Sequence, residues 1–168
     1  MRLEEALQVH NTEPAPLGGL PRLRTAEFLD WILGASSKGC RIASLFGRPE
    51  PKERTSLLAV LADDAGGRFW VAASEPLEKY ASLTPECPQA HWFEREIAEQ
   101  WGVVPEGHPW LKPIRFHVSG RQKHDAWNRA PGSLILPSVT DFFQVRGEQI
   151  HEVAVGPVHA GVIEPGHF

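Results

Sequence analysis

The sequence predicts an α+β fold, in which an antiparallel or mixed sheet is packed by a few helices and followed by a C-terminal hairpin extension. Two segments, Thr25 to Gly39 and Gln89 to Trp101, show the apolar spacing of amphipathic helices. Between them lie three short runs of branched and aromatic residues that turn residues separate. Helices that flank a group of consecutive strands indicate this fold class.

Composition limits the function classes. The chain has 168 residues, of which 42% are hydrophobic and 23% charged, enough for one buried core. A net charge of -4 with no basic stripe argues against nucleic acid as a partner. The N-terminus lacks the pattern of a signal peptide, and no apolar window is long enough to span a membrane, so we expect a soluble, cytoplasmic chain. Cys40 and Cys87 are isolated in the sequence and predicted to be packed, reduced thiols.

The N-terminal part predicts two helices joined by a linker. Residues 3–9, LEEALQV, form a short helical pattern that ends at the Pro- and Gly-rich stretch 11–21. Thr25 is a residue type that caps helices, and Gly39 is a typical stop. A helix of about three turns is therefore expected from Thr25, with one apolar face that includes Phe28, Ile32 and Leu33.

The middle of the chain predicts an antiparallel meander. Its three strands are CRIASLFG, TSLLAVLA and RFWVAAS, and the separating segments GRPEPKE and DDAGG are rich in turn residues. From Gln89 the apolar period becomes helical, which predicts a helix on the sheet with a buried stripe of Ala90, Phe93, Ile97 and Trp101. Arg95 and Glu99, four residues apart, are expected to form an ordinary surface pair.

The rest of the chain is predicted to be mostly irregular. Residues 102–115 are rich in Pro and Gly and should form an ordered loop that can touch partners. Residues 119–141 have no sustained period and are predicted to be a connector. In FFQVRGEQIHEVAVG, alternation around Arg146-Gly147 predicts a hairpin, which the turn-rich segment GPVHAGVIEPGHF follows.

Few residues have a spacing that suits catalysis or metal binding. The triplet Glu94-Arg95-Glu96, with Glu99, has carboxylates at helical spacing that suit acid/base chemistry or a metal ion, but a solvated helix face is the favoured interpretation. None of the eight histidines forms an HxH or HExxH motif, so no metal site is predicted. No serine or cysteine lies in a nucleophile motif, and no phosphate-binding glycine loop is present.

An ordered pattern in the second helix and its loop resembles the signature of the thirty-kilodalton subunit family of respiratory complex I and its hydrogenase relatives. Gln100 departs from that family, in which an apolar residue is usual, whereas RIASLFG and SLTP also fit it. The resemblance covers roughly residues 25–118. Its residues here are Glu94, Arg95, Glu96, Glu99, Trp101, Gly102, Gly107, His108, Pro109, Trp110, Leu111 and Arg115.

The resemblance implies a cofactor-free docking domain rather than a catalyst. In this interpretation the helix is buried, its charged flank fixes the exit of the chain, and a Pro-locked loop presents Trp110 to a neighbouring subunit. The predicted organisation is a thirty-kilodalton-like domain over residues 1–118, a connector over 119–141, and the start of a large-subunit region over 142–168.

The C-terminal segment resembles the first part of the large subunit of membrane-bound, energy-converting nickel–iron hydrogenases, including formate hydrogenlyase. The corresponding complex I subunit reads GPxHPAxHG with a second, quinone-associated His, and Ile163 stands at that position here. By looser similarity, Glu164 is implied to be a proton relay. The residues of this tail motif are Gly156, Pro157, His159, Glu164, Pro165, Gly166 and His167.

These resemblances imply partners that carry the redox chemistry. A nickel–iron centre and iron–sulfur clusters are expected in the rest of a complex, since the sequence ends before the family's CxxC pairs. The implied partners are an iron–sulfur small subunit, the catalytic large-subunit region and, indirectly, membrane subunits, at the inner face of the cytoplasmic membrane. The alternatives are a complex I subunit that serves electron transfer from NADH to quinone, and a stand-alone binding module.

Overall fold

Two helices and a mostly antiparallel sheet form the α+β fold that the sequence predicts. The structure, a computed structural model, describes residues 6–121, 123–130, 132–135, 147–148, 151, 154–155 and 166–167. The helices are α1 (Thr25–Ser36) and α2 (His91–Trp101). The strands are β1 (Leu7–His10), β2 (Arg22–Leu23), β3 (Arg41–Glu50), β4 (Arg54–Asp63), β5 (Arg68–Ser74), β6 (Lys79–Ala81), β7 (Val104–Glu106), β8 (Ala154–Val155) and β9 (Gly166–His167).

Strands β3, β4 and β5 are the predicted antiparallel meander, which is confirmed. The sheet order is β1-β5-β4-β3, with β1 antiparallel to β5 and the short β2 parallel to it. One face of β4 contributes Leu57, Ala59 and Leu61 to the main core. The opposite face carries a smaller cluster in which Leu58 and Val71 pack with Leu20 from the linker. The central strand is therefore buried on both sides.

The predicted helix over residues 3–9 is wrong where the structure describes it. Leu7–His10 is a strand paired in register with Arg68 to Val71 of β5. Its side chains alternate in burial, and Leu7 and Val9 pack against the smaller core cluster. Four residues gain more from backbone hydrogen bonds to an existing edge than from a helix too short to be stable alone. Residues 1–5 lie outside the described part.

The two turns of the meander differ in length from the prediction. Strand β3 continues through Pro49, which pairs with Thr55, so only residues 51–53 form the first turn. Lys52 and Glu53 have positive φ there. In the second turn the Asp63 carboxylate accepts the backbone N–H of Gly66 at 2.9 Å, the local capping that favours Asp in turns.

Helix α1 is confirmed, although Thr25 is its first helical residue and not its cap. The N-cap is Arg24, and no side chain makes a capping hydrogen bond. Its buried face packs on the main core and includes Phe28, Trp31, Ile32 and Ala35. Cys40 and Cys87 are buried free thiols, as predicted.

Helix α2 follows a single 3₁₀ turn at Pro88–Ala90 and ends at Gly102, whose φ of 64° is left-handed. Of the predicted stripe, Ala90 and Ile97 are fully buried, whereas Phe93 and Trp101 are only partly buried. The Trp101 ring lies so close to β3 that a Cβ atom added at Gly47 would be 2.1 Å from its Cδ1 atom. Glycine at position 47 is thus required by helix-on-sheet packing.

The chain divides into two compact units, Met1–Pro137 and Ser138–Phe168. In the first unit, β6 and β7 form a separate parallel pair. In the second unit, β8 and β9 pair antiparallel. Most of the predicted hairpin around Arg146-Gly147 lies outside the described residues. The predicted domain boundaries at residues 118 and 141 stay a prediction. No helix in the described part of the chain is long and apolar enough to cross a membrane.

Replacement of Ile97 by Ala tests the buried stripe of α2. Ile97 is 1% exposed within the main core, so we expect Ile97→Ala to lower the free energy of unfolding by about 2 to 5 kcal/mol. Val118→Ala, at a position 79% exposed, is the matched control and should change it by less than about 0.5 kcal/mol. Urea unfolding measures both, and equal losses would show that α2 does not pack as described.

Candidate subunit interface

The charged residues of α2 are buried, contrary to the prediction of a solvated helix face. Glu94 is 0%, Arg95 4% and Glu99 1% exposed. Arg95 and Glu99 are therefore not an ordinary surface pair. Only Glu96 keeps an exposed role, as the partner of Arg115 at 2.9 Å. Buried charges are costly unless hydrogen bonds satisfy them, so the contacts of these three side chains define the site.

Glu94 fastens the segment after β6 to the first turn of α2. Its carboxylate accepts the backbone N–H groups of Leu83 at 2.7 Å and Thr84 at 3.1 Å, and the hydroxyls of Ser82 at 2.6 Å and Thr84 at 2.5 Å. Burial raises the pKa of Tyr80, and the adjacent Glu94 charge raises it further. Four donors on one carboxylate make this turn a rigid part of the core.

Glu99 plays the same role for the far end of the loop that follows α2. Its carboxylate accepts the backbone N–H groups of Ile114 and Arg115, each at 2.8 Å, and of His117 at 3.1 Å. These residues belong to no helix or strand, so their amides have no ladder partner. A single buried side chain thus supplies the acceptors that hold the loop in place.

Arg95 holds the middle of the same loop. Its Nε–H donates to the carbonyl of Lys112 at 2.8 Å and its Nη2–H to the carbonyl of Pro113 at 3.0 Å. The guanidinium lies between two indole rings, 4.9 Å from the centre of Trp92 and 4.7 Å from that of Trp110. Burial lowers the pKa of Arg95. The residue joins helix and loop through both hydrogen bonds and cation–π contacts.

His108 sets the turn that carries Trp110. Its Nδ1 atom accepts the backbone N–H of Trp110 at 3.0 Å, and its Nε2 atom lies 3.3 Å from the carbonyl of His91. This arrangement suits the neutral ring with the proton on Nε2. Burial lowers the pKa of His108. The preceding Gly107 has φ of 80°, and Pro109 is exposed.

Two large aromatic side chains remain accessible above this frame. Trp92 is 61% and Trp110 is 51% exposed. The His91 ring stacks at 6.1 Å on Trp110 and lies 4.9 Å from His108, and Lys112 Nζ is 5.0 Å from the centre of Trp110. We name this surface the aromatic platform, consisting of His91, Trp92, Arg95, His108, Trp110 and Lys112.

Some residues of the platform and its frame were not predicted. Trp92 stands three residues before Arg95 on α2, a spacing that could have indicated their contact. Arg121 had no such signal, because its contacts are distant in sequence. It is 7% exposed, and its guanidinium donates to the Glu78 carboxylate and to the carbonyls of Glu53 and Trp101.

The remaining predicted positions fall in different places. Gly102 faces residue 124, since a Cβ there would be 2.8 Å from the His124 backbone. In the tail motif, Gly166 and His167 form β9, whereas Gly156, Pro157, His159, Glu164 and Pro165 lie outside the described residues. The proton-relay role of Glu164 stays a prediction. Within the described part, no three His, Cys, Asp or Glu side chains lie close enough to hold a metal ion.

Replacement of Glu99 by Gln should loosen the loop after α2. The amide offers one acceptor oxygen and turns an NH₂ group toward backbone donors, so we expect Glu99→Gln to lower the free energy of unfolding by about 2 to 4 kcal/mol. Hydrogen exchange at Ile114, Arg115 and His117 should accelerate. Glu96→Gln, which breaks a partly exposed ion pair, is the control and should cost at most about 1 kcal/mol. Unchanged exchange at the three amides would contradict this assignment.

The lowered pKa of His108 predicts a pH dependence. Because the folded pKa lies below the unfolded value of about 6.5, the unfolded chain binds more protons between the two values. Stability contributed by His108 is therefore fully present above pH 6.5 and decreases as pH falls toward the folded pKa. Wild type should lose its stability advantage over His108→Gln in urea unfolding between about pH 7 and about pH 5. A pH-independent difference between the two proteins would argue against the neutral ring.

Comparison with known proteins identifies the family. The family described as "Respiratory-chain NADH dehydrogenase, 30 Kd subunit" matches residues 27–132. Formate hydrogenlyase subunit 5 of Escherichia coli is 26% identical over 148 residues, which cover 78% of this chain and 26% of that protein. Hydrogenase-4 component G of the same organism is 29% identical over 120 residues, 64% of this chain and 21% of that protein.

A third relative belongs to the complex I side. This NADH-quinone oxidoreductase subunit of Xylella fastidiosa is 40% identical over 68 residues, which cover 38% of this chain and 27% of that protein. The chain thus spans about a quarter of the length of these relatives. The family match includes α2, its loop and all six residues of the aromatic platform. Since it covers more than half of the sequence, the chain belongs to the family of the 30 Kd subunit of respiratory-chain NADH dehydrogenase.

Proposed function

We propose that this chain is a non-catalytic docking domain in the large subunit of a nickel–iron hydrogenase complex of the formate hydrogenlyase type. The observation that carries the proposal is the aromatic platform, in which Trp92 and Trp110 are 61% and 51% exposed above a rigid frame. Exposed tryptophans on an ordered surface are typical centres of subunit interfaces. The proposal covers a role in assembly, and the redox chemistry belongs to other parts of the complex.

The frame supports docking because its polar groups are committed to structure. Glu94 and Glu99 accept seven hydrogen bonds from the chain itself, which leaves them poorly suited to proton transfer with a substrate. Their effect is to order a loop that has no helix or strand after β7. A surface ordered before it binds loses less conformational entropy on association, which favours affinity.

The extent of the comparisons favours the hydrogenase branch. The alignment with formate hydrogenlyase subunit 5 covers 78% of the chain, a larger share than residues 27–132 make up. The similarity therefore continues beyond the matched domain. In the tail, Ile163 stands where the complex I pattern has its quinone-associated His, and Glu164 follows it. Both features are those expected of a domain joined to a hydrogenase large subunit.

The second candidate is the thirty-kilodalton-type subunit of an NADH:quinone oxidoreductase. The observation in its favour is the 40% identity over 68 residues with the protein of Xylella fastidiosa, higher than the identity with either hydrogenase relative. That segment covers only 38% of the chain. In both candidates the platform serves docking, and the two differ in the identity of the neighbouring subunits.

The proposed partners are an iron–sulfur small subunit and the catalytic large-subunit region, with membrane subunits contacted indirectly. The complex would lie at the inner face of the cytoplasmic membrane. No cofactor is proposed for this chain, and the nickel–iron centre and iron–sulfur clusters are assigned to its partners. A stand-alone binding module is the alternative if no redox subunit associates.

Purification of the native complex tests this proposal. The chain, tagged in its host, is isolated from gently solubilised membranes, and the co-purifying proteins are identified by mass spectrometry together with nickel and iron content. We expect a nickel–iron large-subunit region and an iron–sulfur subunit. Recovery of NADH dehydrogenase subunits would select the second candidate. A purified chain without redox partners, or one that evolves hydrogen alone, would overturn the docking role.

Trp110→Ala should weaken assembly more than it affects folding. The side chain is half exposed, so we expect its loss to reduce partner affinity by about 2 kcal/mol or more, as for interface hot spots. The melting temperature should change little in comparison. Leu17→Ala, which removes a side chain 60% exposed in the linker, is the control. Binding is measured with the co-purified partner, and retained affinity with a large drop in melting temperature would identify Trp110 as a core residue.

A further inference from the structure

Arg95 is a buried cation without a carboxylate partner in the described part of the chain. It is 4% exposed, and none of the ion pairs formed by the described residues includes it. The two acidic residues that flank it on α2 are occupied elsewhere. Glu94 binds the segment after β6, and Glu99 binds the backbone at residues 114–117. The positive charge is therefore compensated only by carbonyl oxygens and aromatic faces.

The guanidinium also has hydrogen-bonding capacity to spare. Its Nε–H and Nη2–H donate to two loop carbonyls, and Nη1 lies 3.4 Å from His91 Nε2. A guanidinium has five N–H donors, so two have no acceptor among the described residues. An incompletely satisfied buried charge is destabilising in isolation. An oxygen acceptor with negative charge, delivered at the edge of the two indole rings, would remove both deficits.

The groups around Arg95 share its sign. Lys112 is exposed, its Nζ atom is 5.0 Å from the Trp110 ring, and it makes no ion pair with a described residue. His91 and His108, on the other side of Trp110, carry no negative charge in any protonation state. Glu96, the nearest exposed carboxylate on α2, is neutralised by Arg115. The aromatic platform thus combines apolar area with cationic groups and contains no acid.

We propose that the platform receives an acidic side chain, Asp or Glu, that stands beside an apolar residue on the partner subunit. The carboxylate pairs with Lys112 and approaches the open N–H groups of Arg95, while the apolar neighbour covers the exposed edges of Trp92 and Trp110. The inference rests on the proposed docking function and deepens it, because it states which partner chemistry the surface selects. Charge complementarity of this kind fixes orientation and excludes partners of the wrong sign.

Zero-length cross-linking tests the contact directly. A carbodiimide joins a lysine amine only to a carboxylate that touches it, so treatment of the intact native complex should link Lys112 to an Asp or Glu of another subunit. Lys112→Arg keeps the charge but lacks the primary amine, and the cross-linked peptide should disappear in that variant while the complex still assembles. An assembled complex in which Lys112 is freely acetylated and forms no cross-link to a carboxylate would overturn the proposal.

Charge reversal separates this inference from the docking role. Lys112→Glu should weaken binding to the co-purified partner by about tenfold or more, and the affinity of the wild type should fall with added salt. Lys52→Glu makes the same change in the turn between β3 and β4 and should leave binding unchanged. Loss of binding in Trp110→Ala but not in Lys112→Glu would refute the acidic partner and keep the docking role. No loss in either would refute both.

Discussion

The structure depends on two buried carboxylates that serve as acceptors for backbone amides. Glu94 and Glu99 project from α2 into opposite neighbours, one toward the segment after β6 and the other toward the loop that ends near His117. A loop of this composition cannot satisfy its own N–H groups, and burial without acceptors would be strongly unfavourable. The helix therefore orders the chain on both of its sides, and Arg95 between them holds the loop's midpoint.

This dependence explains why charged residues at these positions need not indicate turnover. In isolation, carboxylates at helical spacing suit acid/base or metal chemistry as well as a solvated surface. The structure supports neither interpretation for Glu94 and Glu99, because the chain's own donors occupy both groups. What remains accessible is aromatic and cationic. The function proposed from this geometry is recognition of another subunit, consistent with membership of a family named for a subunit of a larger assembly.

The sequence predicted the fold class, both main helices and the meander, since these follow from apolar periodicity. It failed where long-range contacts override local pattern. Leu7–His10 became a strand because an edge of β5 was available, and the charges of α2 became buried because loops fold back over them. Arg121 could not have been predicted from its polar, aperiodic surroundings. The family signature, in contrast, marked the site correctly in position, although it gave no indication that its charges are internal.

If the frame of α2 presents Trp92 and Trp110 to a neighbouring subunit, both indoles must lose accessibility on assembly. Hydroxyl-radical footprinting tests this most directly, because indole oxidation reports side-chain accessibility in the isolated chain and in the assembled complex under the same conditions. We expect both tryptophans to be readily oxidised in the isolated chain and strongly protected in the complex, with Val118 as an exposed reference outside the platform. Equal oxidation of both tryptophans in the two states would contradict the docking role.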